Sequence, residues 1–201
     1  MKRLLTLLAL TASFALLGGC ANGPIHTALR GSYTVTAFKP HNPDNVKVKV
    51  STSTQNIYVL EGDRLLMAVQ GCVGANGATG SGSYTIIEKI KTKRRVSEPD
   101  AGYPMAYWCA WKPAYGFHEG FVWSIPRTHG CIRLHREAAA RFFALVRIGT
   151  PVNISSSQPE DRMYGHFVRK LDQRNDPDPD RAYMMSPAWF RDPAGPLLVT
   201  Q

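Results

Sequence analysis

Short β-like runs separated by turn residues occupy the middle of this chain and constrain its fold. Val46, Val48 and Val50 alternate with Lys47 and Lys49, and this period of two predicts a strand with one buried face. Further strands are predicted at residues 57–60, 64–69, 83–87, 105–111 and 151–154. The apolar spacing of residues 135–147 predicts a helix. This order predicts a mainly β protein with a sandwich or barrel-like core and one short helix.

The first twenty residues have the composition of an export signal. Lys2 and Arg3 precede an apolar run that ends at Leu17, and two glycines lead from there into Cys20. The run is too short to cross a bilayer core of about 30 Å, which takes about 20 residues. Residues 1–19 are therefore predicted to be a signal peptide. The sequence around Cys20 resembles a bacterial lipobox, which implies cleavage before this cysteine and its lipidation; an ordinary secretory signal is the alternative.

A lipidated Cys20 predicts a protein that works in the periplasm and is anchored to a membrane. Ala21 follows the cysteine, which resembles the pattern sorted to the outer membrane. Residues 20–44 lack lasting periodicity and are predicted to be a tether. The formal charge of +9 suits the anionic surfaces of a cell envelope. Because export separates the chain from nucleic acid, no nucleic-acid partner is expected.

One short segment concentrates reactive side chains. His118 and His129 precede Cys131, and Gly130 directly adjoins the cysteine. A nearby imidazole raises the thiolate fraction of a cysteine, whose ordinary pKa is about 8.5, and then delivers the proton to a leaving group. Glycine lets the backbone approach a substrate closely, so the amides of Gly130 and Cys131 are candidates to stabilise an oxyanion. These are the parts of an acyl-transfer site.

Two other interpretations fit the same residues. In the first, Cys131 is a buried structural thiol and the histidines are satisfied core groups. In the second, a zinc ion is bound by His118, His129, Cys131 and His135. Residue types and spacing alone do not separate these two interpretations from a cysteine nucleophile.

A longer motif distinguishes among these interpretations through a family resemblance. The run Thr128-His129-Gly130-Cys131-Ile132-Arg133 resembles the signature of the L,D-transpeptidase (YkuD-type) catalytic domain, and His118-Glu119-Gly120 resembles the context of that family's upstream histidine. The resemblance covers residues 45–154 and implies the family's β-sandwich fold, with a short helix after the nucleophile loop. Residues 155–201 have no counterpart in it and are treated as a C-terminal extension.

The resemblance implies a role for each residue of the motif. Cys131 is the implied nucleophile, and His118 is the implied general base and acid, oriented by the carbonyl of Glu119. His129 and Gly130 belong to the implied catalytic loop. The residues implied or expected to contact the substrate are Thr128, Arg133, Tyr107 and Trp108. For the two aromatic residues, packing in the core is the alternative. The resemblance implies no cofactor and no metal.

The implied reaction is acyl transfer on peptidoglycan stem peptides. The Cys131 thiolate attacks the carbonyl between the L-centre of diaminopimelate and a terminal D-alanine. The resulting thioester passes to an amine of a second stem peptide, giving a 3–3 crosslink, or to an acceptor lipoprotein. The alternatives are an L,D-carboxypeptidase or amidase that hydrolyses diaminopimelate bonds, and a non-catalytic lipoprotein that binds the wall. An intact Cys131, His118 and Gly130 argue against the last.

Two cysteines remain once Cys20 and Cys131 have these implied roles. Because the periplasm favours disulfides, we expect Cys72 and Cys109 to be bridged. Such a bond would attach the glycine-rich loop of residues 71–82 to the strand near the active site. Two buried free thiols are the alternative.

Overall fold

The computed structural model describes residues 33–201, which are built around one nine-stranded sheet. The strands are β1 (Val46–Ser51), β2 (Asn56–Glu61), β3 (Arg64–Cys72), β4 (Gly82–Thr85), β5 (Glu88–Ile90), β6 (Trp108–Lys112), β7 (Tyr115–Glu119), β8 (Ile132–Leu134) and β9 (Pro151–Ser155). The helices are α1 (Arg136–Leu145), α2 (Glu160–Tyr164) and α3 (Arg181–Met185), and short 3-10 turns lie at Pro43–Asn45, Ala75–Gly77, Gly165–Phe167 and Pro187–Phe190. The order across the sheet is β4-β9-β1-β2-β3-β8-β7-β6-β5.

The two edges of this sheet are joined by a link of two residues. Ile86 and Ile87 separate β4 from β5 in the sequence, although these strands stand at opposite ends of the order. The link spans at most about 11 Å, whereas eight strand spacings in a flat sheet would cover about 38 Å. The sheet must therefore curl. The amide of Ile86 donates to the Thr150 carbonyl at 2.9 Å and that of Ile87 to the Ala110 carbonyl at 2.8 Å. The predicted mainly β fold is confirmed.

The inside of the curl is filled by the apolar faces of the strands and by α1. In β1 the three valines are buried and the two lysines are half-buried, as their alternation predicts. Phe142 of α1 packs on Phe117 of β7 with 4.4 Å between ring centroids. Because α1 follows β8 directly, it closes the core behind β7 and β8.

α1 is shorter than the predicted helix over residues 135–147 because both of its ends are capped. His135 is the N-cap, and its Nδ1 accepts from the amide of Glu137 at 3.2 Å. At the other end, Nζ of Lys89 donates to the carbonyls of Phe143 at 2.8 Å and Val146 at 2.5 Å. A cation at a helix C-terminus satisfies carbonyls that have no partner within the helix and favours the helix dipole.

The strand predicted over residues 105–111 begins later than expected. Tyr107 has a left-handed backbone with φ of +59°, a conformation that does not continue a strand. β6 therefore starts at Trp108. Two further strands, β7 and β8, lie in segments where the sequence predicts reactive residues but no regular structure.

The described part of the predicted tether belongs to the folded domain. Tyr33, Val35 and Ala37 are buried in the main core. Val199, near the chain end, donates its amide to the Ala37 carbonyl and accepts from the amide of Lys39, both at 2.9 Å. The prediction of a tether over residues 20–44 is therefore wrong from Tyr33 to Ala37, because apolar side chains there fill the core.

Most predictions for the N-terminal part of the chain concern residues before Tyr33. The signal peptide over residues 1–19 and the lipidation of Cys20 lie outside the described residues. Within residues 33–201, no helix has the length and apolar character that a membrane crossing requires.

The predicted disulfide between Cys72 and Cys109 is wrong, because both are free thiols that lie far apart in the sheet. Cys72 of β3 lies opposite Arg133 of β8, which lies opposite His118 of β7. Cys109 of β6 lies opposite Phe117 of β7. Adjacent residues of a strand point to opposite faces, so the two thiols also point to opposite faces. They are three strand spacings apart, about 14 Å, whereas a disulfide bridges Cα atoms at most about 7 Å apart.

Part of the C-terminal extension covers the outer face of β2 and β3. Tyr58 and Leu60 of β2 form a second small core there with Val168. One carboxylate, that of Asp161 in α2, ties this cover to the sheet. It accepts hydrogen bonds from Ser51 at 2.6 Å, Thr54 at 2.9 Å, Asn56 at 3.1 Å, Tyr58 at 2.8 Å and the Gln158 amide at 3.1 Å.

Replacing Asp161 by alanine is expected to lower the free energy of unfolding by about 3 kcal/mol, because five donors lose their acceptor. Burial raises the pKa of Asp161, but the hydrogen bonds outweigh burial and lower the pKa below its ordinary 3.8. The difference in the free energy of unfolding between wild type and Asp161→Ala should therefore be largest at neutral pH and shrink as the pH falls below about 3.8. Urea denaturation at several pH values measures it. Asp178 is exposed in the same extension, and Asp178→Ala should change the free energy of unfolding by less than about 0.5 kcal/mol. Equal losses of stability in Asp161→Ala and Asp178→Ala would contradict the role given to Asp161.

Candidate active site

Parallel pairing of β7 and β8 brings the reactive residues together. His118 lies opposite Arg133 in this register. Cys131 precedes Arg133 by two residues and so lies on the same face as His118. Strand spacing puts the Cα atoms of His118 and Cys131 about 8 Å apart, which is close enough for the two side chains to approach each other. Both residues line one cavity of about 600 Å³.

The imidazole of His118 is held in one tautomer. Its ring is buried, and Nδ1 lies 2.7 Å from the carbonyl oxygen of Glu119, so the contact expected from the sequence is present. Because a carbonyl can only accept, Nδ1 carries the proton and Nε2 keeps its lone pair. Burial lowers the pKa of His118 to about 4, the Glu119 hydrogen bond opposes this, and the charge of Arg133 adds to it. At neutral pH the imidazole is therefore a neutral proton acceptor.

The surroundings of Cys131 favour a protonated thiol. Its Sγ lies 3.6 Å from the carbonyl oxygen of Ala114. Burial raises the pKa of Cys131, and the weaker effects of a backbone contact at Gly116 and the charges of Arg133 and Arg95 oppose it. The two shifts together favour a thiol beside a neutral imidazole. An increased resting thiolate fraction, which the sequence predicted, is not what this environment favours.

A loop held by two threonines presents the cysteine. Thr128 Oγ1 donates to the Cys131 carbonyl at 2.5 Å and accepts from the Gly130 amide at 3.1 Å. Thr79 Oγ1 donates to the Gly130 carbonyl at 3.0 Å. Gly130 has φ of +132°, and a Cβ there would lie 2.1 Å from a ring carbon of Tyr115, so glycine is required both by conformation and by space.

This loop changes the prediction for the oxyanion donors. The sequence predicts that the amides of Gly130 and Cys131 both stabilise an oxyanion. The Gly130 amide already donates to Thr128, which leaves the amide of Cys131 as the candidate donor.

Cations dominate the lining of the cavity. They are Lys93, Arg94, Arg95, Lys112 and Arg133, against one lining carboxylate, Glu88. Lys93 pairs with Glu88 at 2.8 Å, and Arg95 pairs with Asp100 at 3.2 Å.

Three of these cations, Arg94, Lys112 and Arg133, form no ion pair within residues 33–201. The guanidinium of Arg94 is hydrogen-bonded to the backbone carbonyls of Gly102, Met184 and Met185, whereas Lys112 and Arg133 have no such set of acceptors in this part of the chain. Nζ of Lys112 lies 3.8 Å from the ring centroid of Tyr115, and the stem of Arg133 lies against Gly120, where a Cβ would come within 2.9 Å of it. These two cations are able to receive an anionic ligand.

Most of these cations were not predicted from the sequence. Lys93, Arg94 and Arg95 belong to the long link between β5 and β6, and the basic run over residues 91–95 was the signal that could have identified them. Lys112 carries no comparable signal, because a lysine at a strand end is ordinary.

Most of the predicted site residues lie around this one cavity. Those that line it are Trp108, His118, Thr128, His129, Cys131 and Arg133. The indole nitrogen of Trp108 donates to Glu88 at 2.6 Å, and its ring lies 6.0 Å from that of His118. Gly130 lies in the loop between the lining residues His129 and Cys131.

Tyr107 does not contact the cavity, so its predicted role in binding substrate is wrong. Its side chain is 1% exposed, packs in the main core and bonds Asp192 through its hydroxyl at 3.0 Å. The left-handed backbone at Tyr107 separates it from the strand that carries Trp108.

His135, which the zinc interpretation requires, lies outside the cavity. Its ring packs on Tyr33 at 4.6 Å and caps α1. Across residues 33–201, no group of three or more His, Cys, Asp or Glu side chains is arranged to hold a metal ion.

The comparisons with known proteins point to one family. The sequence model of the L,D-transpeptidase catalytic domain (YkuD) matches residues 45–154. An L,D-transpeptidase of Stackebrandtia nassauensis is 20% identical with a TM-score of 0.50 over 61% of this chain and 60% of that chain. An L,D-transpeptidase of Mycobacterium tuberculosis H37Rv is 22% identical with a TM-score of 0.50 over 55% of this chain and 57% of that chain. One of Xylanimonas cellulosilytica is 16% identical with a TM-score of 0.51 over 58% of this chain and 63% of that chain. A search of curated proteins finds no match.

The structural similarities extend over part of each molecule. This chain spans less than two thirds of each of the three structures. At identities of 22% and below, the similarity shows a shared fold.

The protonation state of the resting pair is testable by alkylation. Because burial raises the pKa of Cys131, its rate of reaction with iodoacetamide should keep rising from pH 7 to above pH 9. His118→Gln should leave that profile nearly unchanged, because an imidazole with a pKa of about 4 is already neutral across this range. Mass spectrometry of the Cys131 peptide measures the rate. A plateau near neutral pH that disappears in His118→Gln would instead indicate a thiolate–imidazolium pair.

Proposed function

This chain belongs to the L,D-transpeptidase catalytic domain family, and from that membership and the site geometry we propose that it is a cysteine-dependent transpeptidase of peptidoglycan stem peptides. The observation that supports the proposal most strongly is the placement of Cys131 and a neutral, oriented His118 on one face of two adjacent parallel strands. A nucleophile and a base in this relation are the minimum that acyl transfer requires.

In the first half of the proposed reaction, the enzyme is acylated. Nε2 of His118 takes the proton of the Cys131 thiol while Sγ attacks the carbonyl between the L-centre of diaminopimelate and D-alanine. The amide of Cys131 donates to the oxyanion that forms. The C–N bond then breaks, and the imidazolium gives its proton to the departing amine of D-alanine. A thioester on Cys131 remains.

In the second half, an acceptor amine replaces the sulfur. The amine attacks the thioester carbonyl, His118 accepts its proton, and the proton returns to Sγ as the C–S bond breaks. The low pKa of His118 keeps Nε2 unprotonated between the two steps. The acceptor we propose is the side-chain amine of another stem peptide, which gives a 3–3 crosslink, or the amine of an acceptor lipoprotein.

The charges of the cavity suit an anionic peptide. Lys112 lies two residues before Ala114, whose carbonyl contacts the thiol, and Arg133 lies two residues after Cys131. Lys112 and Arg133 therefore both line the cavity that contains Cys131. A stem peptide carries carboxylates on both sides of its scissile amide, and charge-assisted hydrogen bonds to such groups are strong.

We also propose that the mature chain works in the periplasm, attached to the outer membrane by lipidation of Cys20. The support is the resemblance of the sequence around Cys20 to a lipobox, together with a substrate that lies outside the cytoplasm.

The central experiment incubates the purified protein with a disaccharide tetrapeptide and follows the products by mass spectrometry. Wild type should release D-alanine and form crosslinked dimers, and Cys131→Ala should reduce turnover on the order of 1000-fold or more because the nucleophile is lost. Cys72→Ala, which removes a buried thiol outside the cavity, is the control and should retain activity. Dimers formed by Cys131→Ala would overturn the assignment, and tripeptide without dimers would assign a hydrolase.

The role of Lys112 gives a second prediction. Lys112→Met should raise the KM for a donor with free carboxylates by about 10-fold, the equivalent of about 1.4 kcal/mol. The same change should have a much smaller effect on a donor whose carboxylates are amidated, because the lost charge then has no partner. Lys49→Met, on β1 and outside the cavity, is the control. Equal effects of Lys112→Met on both donors would exclude carboxylate recognition by this lysine.

A further inference from the structure

Part of the extension beyond the family domain returns to the active site. We call residues 181–192 the strap; they comprise α3 and the turn Pro187–Phe190 up to Asp192. Asp192 pairs with Lys91 at 2.8 Å and accepts from the Tyr107 hydroxyl at 3.0 Å. Arg94, a lining residue of the cavity, donates to the carbonyls of Met184 at 3.4 Å and Met185 at 3.0 Å. The strap therefore packs against the link that forms one wall of the cavity.

Arg136 joins the strap to the strand that carries the catalytic histidine. It is the first residue of α1, and its Nη1 donates to Oε1 of Glu119 at 3.0 Å. Its Nη2 donates to the carbonyl of Trp189 and, at 2.5 Å, to that of Arg191. The planar guanidinium thus reaches one carboxylate and two strap carbonyls at once, a geometry that lysine cannot reproduce.

Glu119 is fixed at its backbone and at its side chain. Its amide donates to the Ala106 carbonyl at 2.8 Å, and its own carbonyl accepts Nδ1 of His118 at 2.7 Å. Its carboxylate, of which 9% is exposed, is held by Arg136. An unpaired carboxylate at this depth would be costly. The residue whose carbonyl orients the imidazole therefore depends on Arg136 for the position of its side chain.

We infer that the strap, acting through Arg136 and Glu119, positions the imidazole of His118. Arg136 is a positioning residue, since it does not line the cavity that contains Cys131. The strap supplies the two carbonyls that hold the guanidinium, the guanidinium holds the Glu119 side chain, and the Glu119 carbonyl fixes the Nδ1–H tautomer. The effect on turnover rests on the proposed function, whereas the effect on the tautomer does not.

The experiment uses the full chain with ¹⁵N-labelled histidine. Long-range ¹⁵N–¹H NMR should show His118 protonated at Nδ1 in wild type and a mixture of tautomers in Arg136→Met. In the tetrapeptide assay, Arg136→Met should lower kcat on the order of 10- to 100-fold and change KM little. Arg136→Lys should recover part of both signals, because it keeps the charge but loses the fork.

Lys91→Met is the matched control. It breaks an exposed ion pair of the strap with Asp192 and leaves Arg136 and Glu119 untouched, so the His118 tautomer and kcat should stay at wild-type values.

Three results would overturn the inference. The first is a wild-type His118 tautomer and kcat in Arg136→Met, and the second is an equal change in both signals in Lys91→Met. If Arg136→Met does not fold, Arg136→Lys is the deciding variant. The third contrary result is then a wild-type His118 tautomer in Arg136→Lys. A wild type that forms no crosslinks would refute the proposed function instead, and the NMR comparison would still test the positioning.

Discussion

The parallel register between β7 and β8 is the constraint on which the site depends. It sets His118 opposite Arg133 and, through the alternation of side chains, puts Cys131 on the face of His118. A shift of one residue would turn either side chain into the core beside Phe117. The packing of α1 against β7 and the curl of the sheet therefore matter to the chemistry, because they hold two short strands in one register.

The surroundings of His118 and Cys131 favour an uncharged imidazole and an uncharged thiol inside a positively charged cavity. Burial moves the pKa of the imidazole down and that of the thiol up, so each group is favoured in its uncharged form. Lys112 and Arg133 remain charged at the same cavity. A neutral nucleophilic pair and unpaired cations together favour a ligand that brings its own negative charges.

The sequence was informative where a local pattern decides the structure and silent where partners distant in the chain decide it. Alternation in β1 and the helical spacing of α1 are local, and both elements lie close to their predicted bounds. β8 has three residues and no alternation that could be recognised; its strand state comes from pairing with β7 and β3. The disulfide of Cys72 failed because cysteine parity contains no information on distance between strands. The substrate-binding role predicted for Tyr107 was wrong because a left-handed backbone separates this residue from Trp108.

Val199 pairs with the backbone at Ala37 and Lys39, so residues from both sides of the family domain belong to one fold. The carbonyls that hold Arg136 come from Trp189 and Arg191, which follow that domain in the sequence. Ribosomes synthesise proteins from the N-terminus, so His118 and Cys131 leave the ribosome before the strap does. A nascent or proteolysed molecule that lacks the strap would keep both side chains but lose the carbonyls that hold Arg136.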